Sequence, residues 1–182
     1  MDENLFNYLT RHRLSEYIPE LNNVYRIRKN AFYNTQTIKS IDLSDSKLLT
    51  LDESAFSYCR NMTSIILPNS VKTINDYCFS DCSSLSSITI PNSVKTINNY
   101  CFMNCSSLSS ITISNSVESI GTQCFSNCSN LTSVEIPVSV NNIGYYCFTG
   151  CNNLTTIIIN KPQDSISGAP WSAPNATVVW NG

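Results

Sequence analysis

Residues 79–100 read FSDCSSLSSITIPNSVKTINNY, and Cys101-Phe102 begins the same pattern again. Leu85-Ser-Ser-Ile88-Thr-Ile90 alternates towards its end and is rich in β-branched residues, which predicts a short strand. Pro91-Asn92-Ser93 ends it, because proline cannot donate to a ladder and asparagine tolerates turns. Val94 to Ile97 forms a second, weaker extended piece, and Asn98 to Phe102 folds back as a compact turn or single helical turn.

The same frame returns outward from this unit. Its phenylalanine recurs at Phe32, Phe56, Phe79, Phe102, Phe125 and Phe148, a first interval of 24 residues and then 23 each time. Leu85, Ile88, Ile90, Val94 and Ile97 are matched one period on by Leu108, Ile111, Ile113, Val117 and Ile120. A fixed period in the twenties means a stacked repeat. A lone unit buries too little apolar surface to offset the entropy of ordering it, so stability must come from stacking, and the ends need caps. Strands are expected near 38–43, 62–67, 85–90, 108–113, 131–136 and 154–159.

Asp52, Asn75, Asn98, Gly121 and Gly144 stand four before successive phenylalanines, with Arg28 breaking the pattern in the first unit. Their shared tolerance for positive φ predicts a left-handed residue there from the second unit onward. Val24 and Ile27 precede Phe32 as Val94 and Ile97 precede Phe102, so a partial turn leads in. Leu5, Phe6, Leu9, Leu14, Tyr17, Ile18 and Leu21 have roughly helical spacing, which predicts a helical N-terminal cap over residues 1–23. The repeats then fill residues 24–160. Residues 161–182 read as a Pro-, Gly- and Ser-rich loop followed by a last strand, Thr177 to Trp180, lying over the open edge of the sheet.

LxxIxI, a Pro-bounded turn and an (A/C)F–C cluster at a 23-residue period resemble the leucine-rich repeats of the BspA type, also called the Treponema pallidum type. The resemblance covers about residues 24–160 and implies a right-handed superhelix. A parallel sheet would line its concave face, with short turns and extended pieces on the convex side. It further implies a bacterial or protozoan surface protein that attaches to host proteins or other cells, placed outside the cell or on its surface. Leu85, Ile88, Ile90, Phe102 and Cys105 carry over as frame, and no functional residue carries over. The residue before the phenylalanine, often alanine in the family as at Ala31 and Ala55, becomes Cys78, Cys101, Cys124 and Cys147 here.

Thirteen acids against eleven bases leave no basic stripe for phosphates, which argues against nucleic acid. No stretch approaches the roughly 18 apolar residues of a membrane span. MDENLFNYLTRHRL opens with two acids and lacks an apolar core, so it does not read as a secretory signal peptide, which leaves the cytoplasm open as a location. Eight of the nine cysteines form C-x3-C pairs, from Cys78/Cys82 to Cys147/Cys151, and Cys59 is left over because Ala55 fills its partner position. The favoured reading is two ladders of small buried residues. Bridges between rungs about 4.8 Å apart and zinc sites are the alternatives.

No enzyme motif is visible, and no cofactor is called for. His12 lies in the expected cap between Arg11 and Arg13 and reads as solvated. Asp42 and Glu135 would lie four rungs apart, about 19 Å at strand spacing, against the roughly 5–9.5 Å that paired glycosidase carboxylates need. Six Asn-x-Ser/Thr sequons arise from the repeat itself and say little about glycosylation.

Two outward stripes remain as candidate partner-binding residues. One is Ser40, Ser64, Ser87, Ser110, Ser133 and Thr156; the other is Asp42, Ile66, Thr89, Thr112, Glu135 and Ile158. The hydroxyls form either an adaptable binding face or mere relief of crowding. Recognition would centre on larger side chains, the apolar Ile66 and Ile158 or the charged Lys39, Asp42 and Glu135. Tyr77, Tyr100 and Tyr146, each two before a phenylalanine, suggest a further stripe that Gln123 interrupts. The expected function is recognition of a host or matrix protein, as in adhesion. Carbohydrate binding and a structural spacer or fibre-like part are the alternatives.

Overall fold

The structure, a computed structural model, describes residues 23–182. The expected helical cap therefore lies outside the described residues except for Asn23, and among those described there is no helix. The chain winds as a parallel β-solenoid. Two-residue strands β1 (Arg26–Ile27), β3 (Thr50–Leu51), β5 (Thr73–Ile74), β7 (Thr96–Ile97), β9 (Ser119–Ile120) and β11 (Asn142–Ile143) make one six-stranded sheet.

Longer strands form the other face: β2 (Ser40–Asp42), β4 (Ser64–Ile66), β6 (Ser87–Thr89), β8 (Ser110–Thr112), β10 (Ser133–Ile136), β12 (Thr156–Ile159) and β13 (Thr177–Trp180). All six expected strands are found, each somewhat shorter than its predicted window or at the end of it. Every ladder pair is parallel, with Ser40 opposite Ser64, Ser87 opposite Ser110, Ser133 opposite Thr156 and Thr156 opposite Thr177. The first pairing spans 24 residues and the next two span 23, so strand register reproduces the phenylalanine intervals. Only the last pairing, at 21, departs from them.

Repetition of sequence becomes repetition of packing. The rings of Phe32, Phe56, Phe79, Phe102, Phe125 and Phe148 stack with centroids 5.0–5.7 Å apart and planes within 4–7° of parallel. Leucine, isoleucine and valine from both strand sets surround this column, and the core runs unbroken from Ile27 to Ala173. The expected last strand is present as β13 beside β12, and with it the loop expected after Ile159 is better described as a seventh, irregular turn. Trp171 sets the edge of its ring on Phe148 at 6.4 Å and 65°, and its carbonyl accepts the Phe148 N–H. Trp171 itself is 3% exposed, with Nε1 donating to Ser167 O.

The expected left-handed residues are in the wrong place. Positive φ falls two before and two after each phenylalanine, as at Tyr77 and Asp81 around Phe79 or Gln123 and Asn127 around Phe125. With that backbone the N–H groups of Tyr77, Phe79 and Asp81 reach Asn99 O, Cys101 O and Met103 O in the next rung. Residues four before phenylalanine serve contact between rungs instead. Asn75 Nδ2 donates to Leu51 O and Asn98 Nδ2 to Ile74 O. At Gly121 a Cβ would stand 2.6 Å from Asn98 C, so close backbone approach demands glycine there, not a positive φ.

Candidate functional site

On the long-strand face the first and third residues of β2, β4, β6, β8 and β10 stand in solvent, and the second, a buried or half-buried isoleucine or valine, points inward. Ser87, Thr89, Ser110 and Thr112 form a two-by-two block of exposed hydroxyls, since β6 and β8 pair in register. Ser133 and Glu135 continue it on β10, beside β8. Ile66, 52% exposed, borders it on β4, and Asp42 lies opposite Ile66 on β2, with Lys39 exposed just before that strand. The structure thus gathers the expected residues on one face.

Ile158 is the correction. It pairs with Val179 of β13 and is only half-buried, because the last strand lies alongside it; an open apolar anchor it is not. The acids are also engaged. Ser44 N–H donates to Asp42 Oδ1 at 2.9 Å, which holds that carboxyl below the usual range. Asn160 Nδ2 donates to Glu135 Oε1 at 2.7 Å.

One hydroxyl column beside the face is scaffold. Thr63, Ser86, Ser109 and Thr155 donate to the carbonyls of Lys39, Thr63, Ser86 and Thr132 in the preceding rung. No such bond is made by the outward hydroxyls of Ser87, Thr89, Ser110 and Thr112 among the described residues, so water and ligands can compete for them on equal terms.

The edge carrying the residues just before each phenylalanine holds a groove of about 510 Å3 that sequence reasoning missed. Arg26 and Lys29 lie at one end, Asn98 and Asn99 at the other, with Asp52, Glu53, Asn75 and Asp76 between. Arg26 Nε is 2.9 Å from Asp52 Oδ2, and Lys29 Nζ is 2.9 Å from Glu53 Oε2. The signal was present as a polar column at Lys29, Glu53, Asp76 and Asn99, three before each phenylalanine. The tyrosine stripe lies on the same edge: Tyr77 and Tyr100 stack at 4.6 Å and 5°, while Tyr145 and Tyr146 are 82% and 60% exposed.

All nine cysteines are free and buried. Cys59, Cys82, Cys105, Cys128 and Cys151 each point Sγ at the carbonyl of a phenylalanine one rung back, at 3.0–3.2 Å. Burial pushes the Cys59 and Cys151 thiols up to about 11 and the inner ones higher still. Such thiols are packing residues, since thiolate is the reactive form. No three His, Cys, Asp or Glu side chains are placed to hold a metal ion among the described residues, and His12 lies outside them. Asp42 and Glu135 sit on β2 and β10, four rungs apart.

Fold and face define a class: a parallel β-solenoid of 23-residue turns presenting a polar strand face. The model of the BspA type leucine-rich repeat region matches residues 3–106 and 49–172, with six copies, and the chain belongs to that family. A leucine-rich cell surface protein from Faecalibacterium prausnitzii A2-165 is 32% identical with a TM-score of 0.68, over 75% of this chain and 36% of that one. A leucine-rich repeat protein from Bacteroides ovatus ATCC 8483 shares the fold at 23% identity and TM-score 0.63, over 87% and 53%. The T. pallidum leucine-rich repeat protein does so at 23% and 0.55, over 87% and 64%. The chain thus spans about a third to two thirds of the length of these proteins. No curated protein matches it. Repeat proteins of this family are generally non-enzymatic recognition scaffolds, and no helix among the described residues is long and apolar enough to cross a membrane.

Proposed function

We propose that this chain binds a protein ligand through its long-strand face, as an adhesion module at a cell surface. The observation that carries the reading is the block of exposed hydroxyls at Ser87, Thr89, Ser110 and Thr112, framed by exposed Ile66 and by Glu135. A flat lattice of small polar groups lets a partner approach the backbone closely, while one exposed apolar side chain at its border supplies a desolvated anchor. The cell-surface description of the Faecalibacterium protein supports the location.

The test is binding of the purified chain to a panel of extracellular-matrix and host-cell proteins, alongside a Ser87→Arg, Ser110→Arg variant. Binding that weakens at least tenfold in a variant with unchanged melting assigns the strand face. Binding that survives both arginines moves the site elsewhere, and no binding to any protein favours a structural role.

A further inference from the structure

Tyr77, Tyr100 and Tyr146 occupy the position two before phenylalanine with φ of 58, 57 and 58°. A bulky residue is costly in that left-handed region, whereas asparagine, which holds the same position at Asn30 with φ 58°, sits there readily. Ring stacking repays the cost at Tyr77 and Tyr100. Tyr146 has no such return. Its ring is mostly in solvent, its counterpart one rung back is Gln123, and Tyr145 beside it is more exposed still.

The surroundings of these rings select among ligands. The three residues at this edge in each of the last four regular rungs are Asn75-Asp76-Tyr77, Asn98-Asn99-Tyr100, Gly121-Thr122-Gln123 and Gly144-Tyr145-Tyr146. Asp76 is the one charge among them, and none is aliphatic. Gly121 and Gly144 are bare because a Cβ would strike the preceding rung, so the edge is low between Tyr100 and Tyr146. Asn98 and Asn99, which line the groove, are fixed in advance: Asn98 Nδ2 donates to Ile74 O and Asn99 Oδ1 accepts Thr122 N–H.

We infer that this edge is a second binding site, distinct from the strand face, for a neutral, extended glycan. Sugar C–H faces would lie against the tyrosine rings, and hydroxyls would bond the fixed amides of Asn98 and Asn99 and the carboxylate of Asp76. A protein interface draws on methionine and arginine beside its aromatics, and neither occurs among these twelve residues. An anionic polymer would need cations, and none of these twelve edge residues is one; Arg26 and Lys29 at the far end of the groove are paired with Asp52 and Glu53. Rigid aromatics beside pre-set amides give contact area at little entropy cost, and rings in three of these four rungs suit a polymer that repeats along its own length.

Tyr100→Asn and Tyr146→Asn, singly and together, remove the rings while placing at each site the residue that Asn30 shows to fit. Retardation in gels containing soluble mannan, xylan or mixed-linkage β-glucan reads neutral-glycan binding, and dextran sulfate serves as the anionic probe. At least one neutral polymer should retard the chain. The double variant should bind it about tenfold less with melting unchanged, Tyr146→Phe should bind normally, and Ser87→Arg should have no effect. The assignment is overturned if no neutral polymer binds, if dextran sulfate alone binds, if the double variant binds as well as the parent, or if Ser87→Arg abolishes binding. The strand-face reading survives each of the first three results, because its ligand is scored separately.

Discussion

At Gly144 a side-chain carbon would press on Thr122 N and stand 2.6 Å from Gly121 C, backbone that cannot swing aside as a flexible side chain could. Asn75 and Asn98, at the same place in earlier rungs, carry side chains that bond the carbonyls behind them. One contact therefore has two solutions along the solenoid, a bridging amide at Asn75 and Asn98 and no side chain at all at Gly121 and Gly144. Gly144→Ala should cost about 1–3 kcal/mol, the usual range for overpacking, seen as a lower urea midpoint with an unchanged slope. A midpoint equal to the parent's would show that rungs at this end separate freely.

The phenylalanine column behaves as an element in its own right, since it crosses six turns and no single turn owns it. Each ring is packed between rungs except at the end, where Trp171 meets Phe148 edge-on. In a nearest-neighbour stack, loss at an end frays that end, while loss in the middle weakens the whole. Trp171→Ala should therefore remove hydrogen-exchange protection from residues 148–180 and leave 56–102 largely protected. Phe102→Ala should lower protection throughout, costing about 3–5 kcal/mol. Uniform loss of protection in Trp171→Ala would contradict this division and make the seventh turn part of one cooperative unit.

For the whole molecule, the charge balance and the thiols matter together. The ion pairs Arg26–Asp52, Lys29–Glu53 and Lys95–Glu118 join consecutive rungs; the last two are exposed on both sides and contribute little, while in the first the Asp52 side chain is only 12% exposed. The nine buried thiols act differently. At Cys59 the pKa rises from 9.0 to about 11, and inner thiols rise further, all chiefly through burial. A group whose folded pKa is raised keeps its proton when the unfolded chain sheds it. Its contribution is whole below about 9 and declines as pH climbs towards 11 and beyond. Melting temperature should accordingly fall steeply above pH 9. A variant with alanine at Cys78, Cys101, Cys124 and Cys147, as at Ala31 and Ala55, should show a shallower fall. An equal slope would place the alkaline sensitivity elsewhere.

Strand order, parallel pairing and the stacked core were legible from the phenylalanine intervals alone, because a stacked repeat converts sequence period directly into register. The inward set was legible for the same reason, as was the cysteine ladder, since small apolar residues flanking a buried ring have nowhere else to go. Backbone hand was not. Asn, Asp and Gly four before phenylalanine looked like left-handed residues, yet tyrosines two before it took that conformation. Hydrogen bonds to the next rung decide φ there, and no single turn contains them. Ile158 looked exposed until β13 paired beside it, at an offset of 21 that breaks the period. The groove and the tyrosine edge likewise depend on side chains 23 residues apart meeting across rungs. The sequence by itself determined which residues repeat and which face inward; tertiary structure decided which outward residues become neighbours, because surface adjacency in a solenoid is made between turns.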